Sequence, residues 1–312
     1  MTTLVLGGTG FVGRHVTRSL AAAGHSVIVF HRGRTTPDLP ASVSSVHGSR
    51  DDRSALRSAL DAAAPDVVVD AIAHTEAQAA TLAALADGHA ERLVALSSGD
   101  VYRQYDGLRG ASDAPPDPVP LTEDSPLRTS RYPYRGAETD FEYAADYDKI
   151  LVEERLRAGP VPATVLRLPM VYGPGDPQHR VQNALDRVSA DDGPVVIGER
   201  RARWRTSRGY VENVAAAIVR AVTDSAAAGR TYNLGEPDAL PEATWLRRVA
   251  AAAGTDVSFE TRPDEQADGA PPFDWAYDAA LDTRRLRTEL GVAEPIAHAE
   301  ALSRTLAGAP TP

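Results

Sequence analysis

The first hundred residues alternate between short apolar runs and longer segments with helical patterning. The apolar runs predict strands at residues 3–6, 26–30, 43–47, 66–72 and 92–96. The segments between them predict helices at residues 11–23, 53–63 and 76–86, and Gly24 stands where the first helix should end. Because the strands are almost wholly apolar, we expect a parallel sheet that is covered by helices on both faces.

The middle of the chain changes character. Residues 107–135 contain six prolines and many Asp, Ser and Thr residues, which predicts a long irregular loop of the kind that often acts as a lid. A helix at about 136–158 and a strand at 163–168 are expected next. Later segments predict helices near 181–189, at 211–223 and at 242–252, strands at 194–197 and 231–234, and a surface loop at 262–272.

This order of elements predicts a Rossmann-type fold, a doubly wound α/β sheet, with two domains. The dinucleotide-binding domain is expected to comprise residues 1–168 and about 204–232. A smaller substrate-binding domain is expected from about 169–203 and 233–312.

Composition narrows the class of protein. The 312 residues are 43% hydrophobic and 24% charged, which is typical of a globular protein, and no apolar run suits a membrane-spanning helix. The N-terminus lacks the pattern of a secretory signal, and the absence of Cys excludes disulfides and thiolate chemistry, so we expect a cytoplasmic protein. The formal charge of −10 makes nucleic acid an unlikely partner, and no His, Asp or Glu spacing suggests a metal site.

A glycine-rich segment, GGTGFVG, follows the first strand and opens the first helix. Gly7, Gly10 and Gly13 permit a tight turn, close approach of the backbone to a pyrophosphate, and close packing of helix on strand. The helix N-terminus then presents free amides to the anion. A dinucleotide is therefore expected to contact Gly7, Thr9, Gly10, Phe11, Val12 and Gly13.

The end of the second strand bears on the choice of cofactor. A carboxylate at this point would bind the ribose hydroxyls of NAD, whereas this chain has Arg32 and Arg34. Two arginines suit a 2′-phosphate, so NADP is expected and NAD is the second choice. The alternative is that both arginines are merely solvated.

Lys149 is the only lysine among the 33 basic residues. A compact ammonium fits narrow sites that a broad guanidinium does not. Lys149 is therefore a candidate for a chemical role, with chance survival on a helix surface as the alternative.

Several motifs in order, from residue 3 to about residue 235, resemble the extended short-chain dehydrogenase/reductases: GGTGFVG, DVVVDAIA, LSSGDVY, LRLPMVYGPGD and RGYVENVAAAI. The resemblance is to their NAD-dependent epimerase/dehydratase family. It implies an NAD(P)-dependent oxidoreductase, epimerase or dehydratase, monomeric or homodimeric, acting on a secondary alcohol or ketone of a small metabolite or sugar, possibly a nucleotide sugar. It implies that Ser98 is the active-site hydroxyl and that Lys149 binds the nicotinamide ribose. It also implies cofactor contacts from Ala71, Ile72, Ala73, Leu168, Pro169 and Val171.

The chain departs from the family at the catalytic tyrosine, which lies four residues before the lysine. Ala145 occupies that position here. On a regular helix Tyr147 points to nearly the opposite face and Tyr143 lies about a turn and a half away, so neither is expected to replace the phenol. The chain therefore resembles the atypical branch of the family. The candidate substitutes are Tyr134, Tyr102 and Asp100 as catalytic groups, with Tyr132 and His74 facing the substrate.

Each of these residues also has a purely structural alternative. The tyrosines would pack in the core or at its rim, Asp100 would orient its loop, and His74 would form a hydrogen bond with the backbone. On the substrate side, Trp204 is flanked in the sequence by Arg200, Arg201, Arg203 and Arg205, and Arg180 lies earlier in the same region. These arginines suit a diphosphate, with Trp204 stacking on a base, or they form a solvated basic face. A non-catalytic dinucleotide-binding regulator or an RNA-binding protein is the alternative function.

Overall fold

The computed structural model describes residues 1–34, 38–189, 193–267 and 273–308. Its strands are β1 (Thr2–Leu6), β2 (Ser26–His31), β3 (Ser44–His47), β4 (Val67–Asp70), β5 (Arg92–Ser98), β6 (Ala163–Leu168), β7 (Met170–Tyr172), β8 (Val195–Gly198), β9 (Arg208–Tyr210), β10 (Thr231–Asn233) and β11 (Phe259–Arg262). Seven of them form one parallel sheet in the order β10-β6-β5-β4-β1-β2-β3.

The helices are α1 (Phe11–Ala22), α2 (Arg53–Ala63), α3 (Glu76–Ala86), α4 (Arg103–Leu108), α5 (Lys149–Arg157), α6 (Arg180–Val188), α7 (Glu199–Arg203), α8 (Val211–Thr223), α9 (Glu242–Ala252), α10 (Arg284–Leu290) and α11 (His298–Ala307). No helix in the described part of the chain is long and apolar enough to cross a membrane.

Helices cover both faces of the large sheet because successive side chains of a strand point to opposite sides. On β1, Val5 joins a core that includes α1 and α8, whereas Leu4 and Leu6 join a second core that includes α2, α3 and α5. Residues 4, 5 and 6 are wholly buried. The doubly wound α/β fold expected from the apolar runs is therefore confirmed.

Two small parallel sheets lie outside the large one. The β7 strand pairs with β9, and β8 pairs with β11. The sequence pattern did not predict β7 or β9, and the loop expected at 262–272 begins at the last residue of β11; each of these strands is only three or four residues long. The proposed division into two domains stays a prediction.

The expected helix at 136–158 is wrong over its first half, because α5 begins at Lys149. Residues 137–147 form irregular chain and turns, and we call this segment the strap. Asp148 caps α5, since its carboxylate accepts hydrogen bonds from the backbone of Ile150 and Leu151. The same carboxylate pairs with Arg128 at 3.0 Å, and both side chains are fully buried.

The Pro-rich segment is irregular as expected, with one difference at its start. Residues 107 and 108 belong to α4, and neither helix nor extended strand follows up to residue 135. The irregular chain therefore continues from this loop through the strap to the start of α5.

Candidate active site

The glycine-rich turn connects β1 to α1. Gly7 has a φ of +79°, in the left-handed region that suits glycine, and a Cβ on Gly13 would lie 2.2 Å from the carbonyl oxygen of Gly7. Gly10 caps α1 without any side-chain bond, and no acidic residue stands in the first turn. Thr9, Phe11 and Val12 lie in the same turn and at the start of α1. The open helix N-terminus fits a dinucleotide pyrophosphate.

Two arginines follow β2, as the sequence indicated. The Arg32 guanidinium donates a hydrogen bond to Glu142 of the strap at 2.9 Å, and both side chains are substantially exposed. Arg34 is also exposed. The imidazoles of His31 and His47 lie edge to face with ring centres 4.7 Å apart. The adenosine-ribose end of the expected cofactor site is therefore basic, but one of its cations is already paired.

Lys149, the first residue of α5, is buried and points toward the ends of β4 and β5. Its ammonium donates to the carbonyl oxygens of Ala73 at 2.5 Å and Leu96 at 2.9 Å. Burial lowers its pKa to about 8. An ammonium has three donors, so one remains for a ligand such as a ribose hydroxyl.

The loop that Lys149 holds connects it to the glycine-rich turn. Ala71 donates its N–H to the carbonyl of Leu6, and the side chain of Ile72 packs directly over Gly7. Ala73 supplies the carbonyl that Lys149 binds. Three of the expected cofactor positions therefore lie side by side, between the turn and the lysine.

Beside Lys149 opens a cavity of about 830 Å³, which we call the chamber. Its walls combine Ser98, Asp100, His74 and Lys149 with apolar and aromatic side chains. A cavity of this size holds a small organic molecule. The aromatic lining consists of Tyr102, Tyr105, Tyr134, Phe141, Tyr147, Trp204 and Phe273.

Tyr147 is the tyrosine that sequence reasoning rejected. Because the strap is not helical, its side chain turns into the chamber, where its hydroxyl donates to Asp100 at 2.8 Å. Burial first, and then the charge of Asp100, raise the pKa of Tyr147 well above its usual value, while a hydrogen bond with Ser98 lowers it. Its ring centre lies 5.9 Å from the Lys149 ammonium. A phenol, a hydroxyl and a lysine thus meet at one end of the chamber.

Asp100 and Tyr134 stand next to this group. Burial raises the pKa of Asp100, and its second carboxylate oxygen is buried without a hydrogen bond. Tyr134 has its ring centre 5.1 Å from that of Tyr147, and its hydroxyl bonds the hydroxyl of Tyr105 at 2.9 Å. Both residues line the chamber, and Tyr147 contacts both of them.

Three expectations need correction. The Tyr102 hydroxyl donates to Asn233 at 2.5 Å and accepts from Arg167 at 3.0 Å, so this phenol is held in a buried structural network and is not free to serve as the acid. Tyr132 lies outside the chamber lining, with its ring 3.9 Å from the guanidinium of Arg135. Arg205 is exposed and lines a separate surface groove rather than the chamber.

His74 lies under the strap. Burial, and then the charges of Lys149 and Arg50, lower its pKa to about 2, so the imidazole stays neutral. Its ring stacks on Tyr143 with ring centres 5.5 Å apart, and Phe141 meets it edge to face at 5.2 Å. His74 lines the chamber without the charge that acid catalysis needs.

The remaining predicted contacts divide into two groups. Leu168, Pro169, Arg180 and Trp204 line the chamber, although the Trp204 ring nitrogen donates to the backbone of Tyr277. Val171, on β7, does not line the chamber, because its side chain is buried in the hydrophobic core that includes α1 and α8.

The arginines expected around the substrate are mostly engaged elsewhere. Arg180 bonds Asp176 at 2.8 Å, Arg200 bonds Asp264 at 2.7 Å, and Arg203 pairs with Glu199. Arg201 lies over the ring of Trp275. In the described part of the chain, no group of His, Asp and Glu is arranged to hold a metal ion.

Comparison with known proteins identifies the family. The model of the NAD dependent epimerase/dehydratase family matches residues 3–235. The chain is 30% identical over 283 residues to 2′-dehydrokanamycin reductase of Streptomyces kanamyceticus, covering 86% of this chain and 71% of that protein. It is 27% identical over 277 residues to 2-alkyl-3-oxoalkanoate reductase of Stenotrophomonas maltophilia, covering 84% and 80%.

A solved structure shares the fold across its whole length. UDP-glucose 4-epimerase of Thermus thermophilus, in complex with NAD, superimposes with a TM-score of 0.68 at 22% identity and covers 99% of this chain and 98% of its own. The fold and the site define an NAD(P)-dependent enzyme of the short-chain dehydrogenase/reductase type. More narrowly, the chain belongs to the NAD-dependent epimerase/dehydratase family. The enzyme interpretation is confirmed over the non-catalytic alternative.

Proposed function

We propose that the protein is an NAD(P)H-dependent reductase that converts a ketone of a small polar metabolite or sugar into a secondary alcohol. The observation that carries this proposal is the Tyr147 phenol, which meets Ser98, Asp100 and Lys149 at one end of the chamber. The names of the two curated relatives support it, since both describe reductases of oxo compounds.

Each side chain at this end of the chamber has a distinct part in the proposed reaction. A bound NAD(P)H supplies a hydride to the carbonyl carbon. Tyr147 donates its proton to the carbonyl oxygen, and Ser98 donates a hydrogen bond to the same oxygen. Asp100 accepts a hydrogen bond from the Tyr147 hydroxyl at 2.8 Å and holds the phenol in place, and solvent returns a proton to Tyr147 after the product leaves. Lys149 uses its third donor to bind the nicotinamide ribose.

The electrostatics keep the Tyr147 phenol in the protonated form that reduction needs. An alcohol oxidation needs a base at this position, whereas burial and Asp100 keep the Tyr147 phenol protonated by raising its pKa. A protonated phenol is the correct form to donate to an oxygen that becomes negative as hydride arrives. His74 is neutral and adds no competing charge.

For the cofactor, we propose NADPH, with NADH as the second choice. Arg32 and Arg34 follow β2 at the position where a 2′-phosphate lies in this fold, and no carboxylate stands directly after that strand. The NAD bound in the Thermus epimerase favours NADH instead.

The first prediction tests Tyr147. In Tyr147→Phe, single-turnover hydride transfer to a ketone should fall by about 10²-fold or more, because the proton donor is lost. Binding of NADPH, measured by fluorescence titration, should stay within about twofold, because the hydroxyl faces the substrate rather than the glycine-rich turn.

Tyr132→Phe is the matched control, since Tyr132 lies outside the chamber and should retain native rates. A substrate is first found by screening a panel of 3-oxoalkanoates and oxo-sugars, in which turnover is detected as a decrease in NADPH absorbance. Equal rates for the native protein and Tyr147→Phe would remove this tyrosine from the mechanism.

A further inference from the structure

The strap crosses the nucleotide half of the sheet. It contacts His74 after β4 through Phe141 and Tyr143, and the Tyr143 hydroxyl donates to Asp51, just beyond β3, at 2.9 Å. It contacts Arg32 after β2 through Glu142. Strap contacts thus follow three strands of the sheet at their carboxyl ends, where dinucleotides lie in open α/β folds.

Glu142 pairs with a cation of special interest. Its carboxylate is bonded at 2.9 Å to the Arg32 guanidinium, the group to which we assign the 2′-phosphate. The two residues are 110 positions apart in the sequence, so the fold alone brings them together. In the described part of the chain, Glu142 thus supplies the negative charge that is missing at the end of β2.

From this pair we propose that Glu142 is a specificity-determining residue for the cofactor, carried by the strap over the adenosine ribose. Its carboxylate competes with a 2′-phosphate for Arg32 and repels that phosphate. It therefore lowers the affinity for NADPH and reduces the ratio of NADPH affinity to NADH affinity. The neutral 2′-hydroxyl of NADH meets no such competition. This inference rests on the proposed cofactor contacts of Arg32.

The test measures binding rather than turnover. NADPH and NADH are titrated by fluorescence into the native protein and into Glu142→Gln. Exposed ion pairs are typically worth less than ~1 kcal/mol, so we expect NADPH to bind roughly two- to fivefold more tightly in the variant. NADH affinity should change by less than about twofold. Displacement by adenosine 2′,5′-bisphosphate should follow the NADPH result, because it carries the same 2′-phosphate.

Asp140→Asn is the matched control, since it removes a carboxylate from the same strap without touching Arg32. It should leave the ratio of the two affinities unchanged. In an Arg32→Gln background, Glu142→Gln should gain less for NADPH than in the native protein, because the competition for Arg32 has gone and only the repulsion of the phosphate remains.

Two results are decisive against the inference, and they can be told apart. Equal changes for NADPH and NADH in Glu142→Gln, or no change in either, would overturn the role of Glu142 and leave the proposed function intact. A native protein that binds neither dinucleotide would overturn the proposed function together with this inference.

Discussion

At the scale of single residues, Lys149 shows why this chain, which uses arginine elsewhere, contains one lysine. Its ammonium lies between the carbonyl oxygens of Ala73 and Leu96 and is only 5% exposed. A guanidinium is broader and presents its donors in a planar fork, so it does not fit the same two carbonyls. The position therefore requires a compact cation.

The second prediction follows from the burial of Lys149. Its pKa is about 8 in the folded protein against 10.5 ordinarily, so between these values the unfolded chain binds more protons than the folded one. The free energy of unfolding should therefore rise with pH across this window, by about 2 kcal/mol from pH 8 to about pH 9.5. Urea unfolding of native protein and Lys149→Met measures the difference.

The Met variant has no titrating group at this position, so it should lack that increase. Titrating groups away from Lys149 contribute equally to both proteins and cancel in the comparison. The same pH dependence in both would show that the Lys149 ammonium is not held in a low-dielectric site.

At the scale of elements, the glycine-rich turn contains one glycine that folding requires and another that cofactor binding is expected to require. A Cβ at Gly13 would overlap the carbonyl of Gly7 at 2.2 Å, whereas a Cβ at Gly10 meets that oxygen only at 3.4 Å. The space around Gly10 is therefore compatible with a side chain in the protein alone. Close approach of a pyrophosphate is what would exclude that side chain.

The third prediction compares alanine at these two positions. Gly10→Ala should cost about 1 kcal/mol of stability or less, through a poorer helix cap, while affinity for NADPH and NADH falls about tenfold or more. Gly13→Ala should cost several kcal/mol of stability, on the order of other overpacked cores, because helix and turn must move apart.

Urea unfolding and calorimetric titration of both variants check this separation. Gly13→Ala shows the effect of a side chain that disturbs the fold, and Gly10→Ala shows the effect of one that disturbs only cofactor binding. Native cofactor affinity in Gly10→Ala would argue that the dinucleotide does not approach this turn.

The start of α5 is the element on which the catalytic assignment depends. Asp148 ends the strap and begins the helix, and its carboxylate is tied to Arg128 and to the backbone of Tyr132 at 2.8 Å. As a consequence Ala145 is exposed in a turn, and a tyrosine there would not share a helix face with Lys149. The tyrosine two residues before the lysine takes the place beside the lysine instead.

At the scale of the whole molecule, the proposed cofactor site joins segments from many parts of the chain. The loop after β4 contacts the glycine-rich turn through Ile72, α5 through Ala73 and the strap through His74, so a dinucleotide bound across these segments would contact the folded state alone. Such a ligand stabilises the protein by mass action.

The fourth prediction is a thermal shift. NADPH at 100 times its dissociation constant should add about 2.7 kcal/mol to the free energy of unfolding, which raises the melting temperature by several degrees. Gly10→Ala at the same NADPH concentration should show about half of that stabilisation or less, because its affinity is expected to be about tenfold lower or more. Scanning fluorimetry measures the melting temperature of the native protein and of Gly10→Ala. An equal shift in both proteins would indicate that NADPH binds away from the turn.

The sequence by itself determined the sheet and the glycine-rich turn, and it pointed to Lys149 as an unusual residue. Each of these features can be recognised from the sequence directly: an apolar run such as β4, three glycines at fixed spacing, or a single lysine among many arginines. Local patterns of this kind report burial and backbone geometry directly.

Only the tertiary structure decided where Tyr147 lies and which partners Arg32 and Tyr102 bind. Tyr147 enters the chamber because Asp148, held by the buried Arg128, stops the helix that the local pattern predicts. Tyr102 is committed to Asn233, 131 residues away, and Arg32 to Glu142, 110 residues away. Pairing energies between such distant positions override local helical preference, and periodicity within a segment carries no record of them.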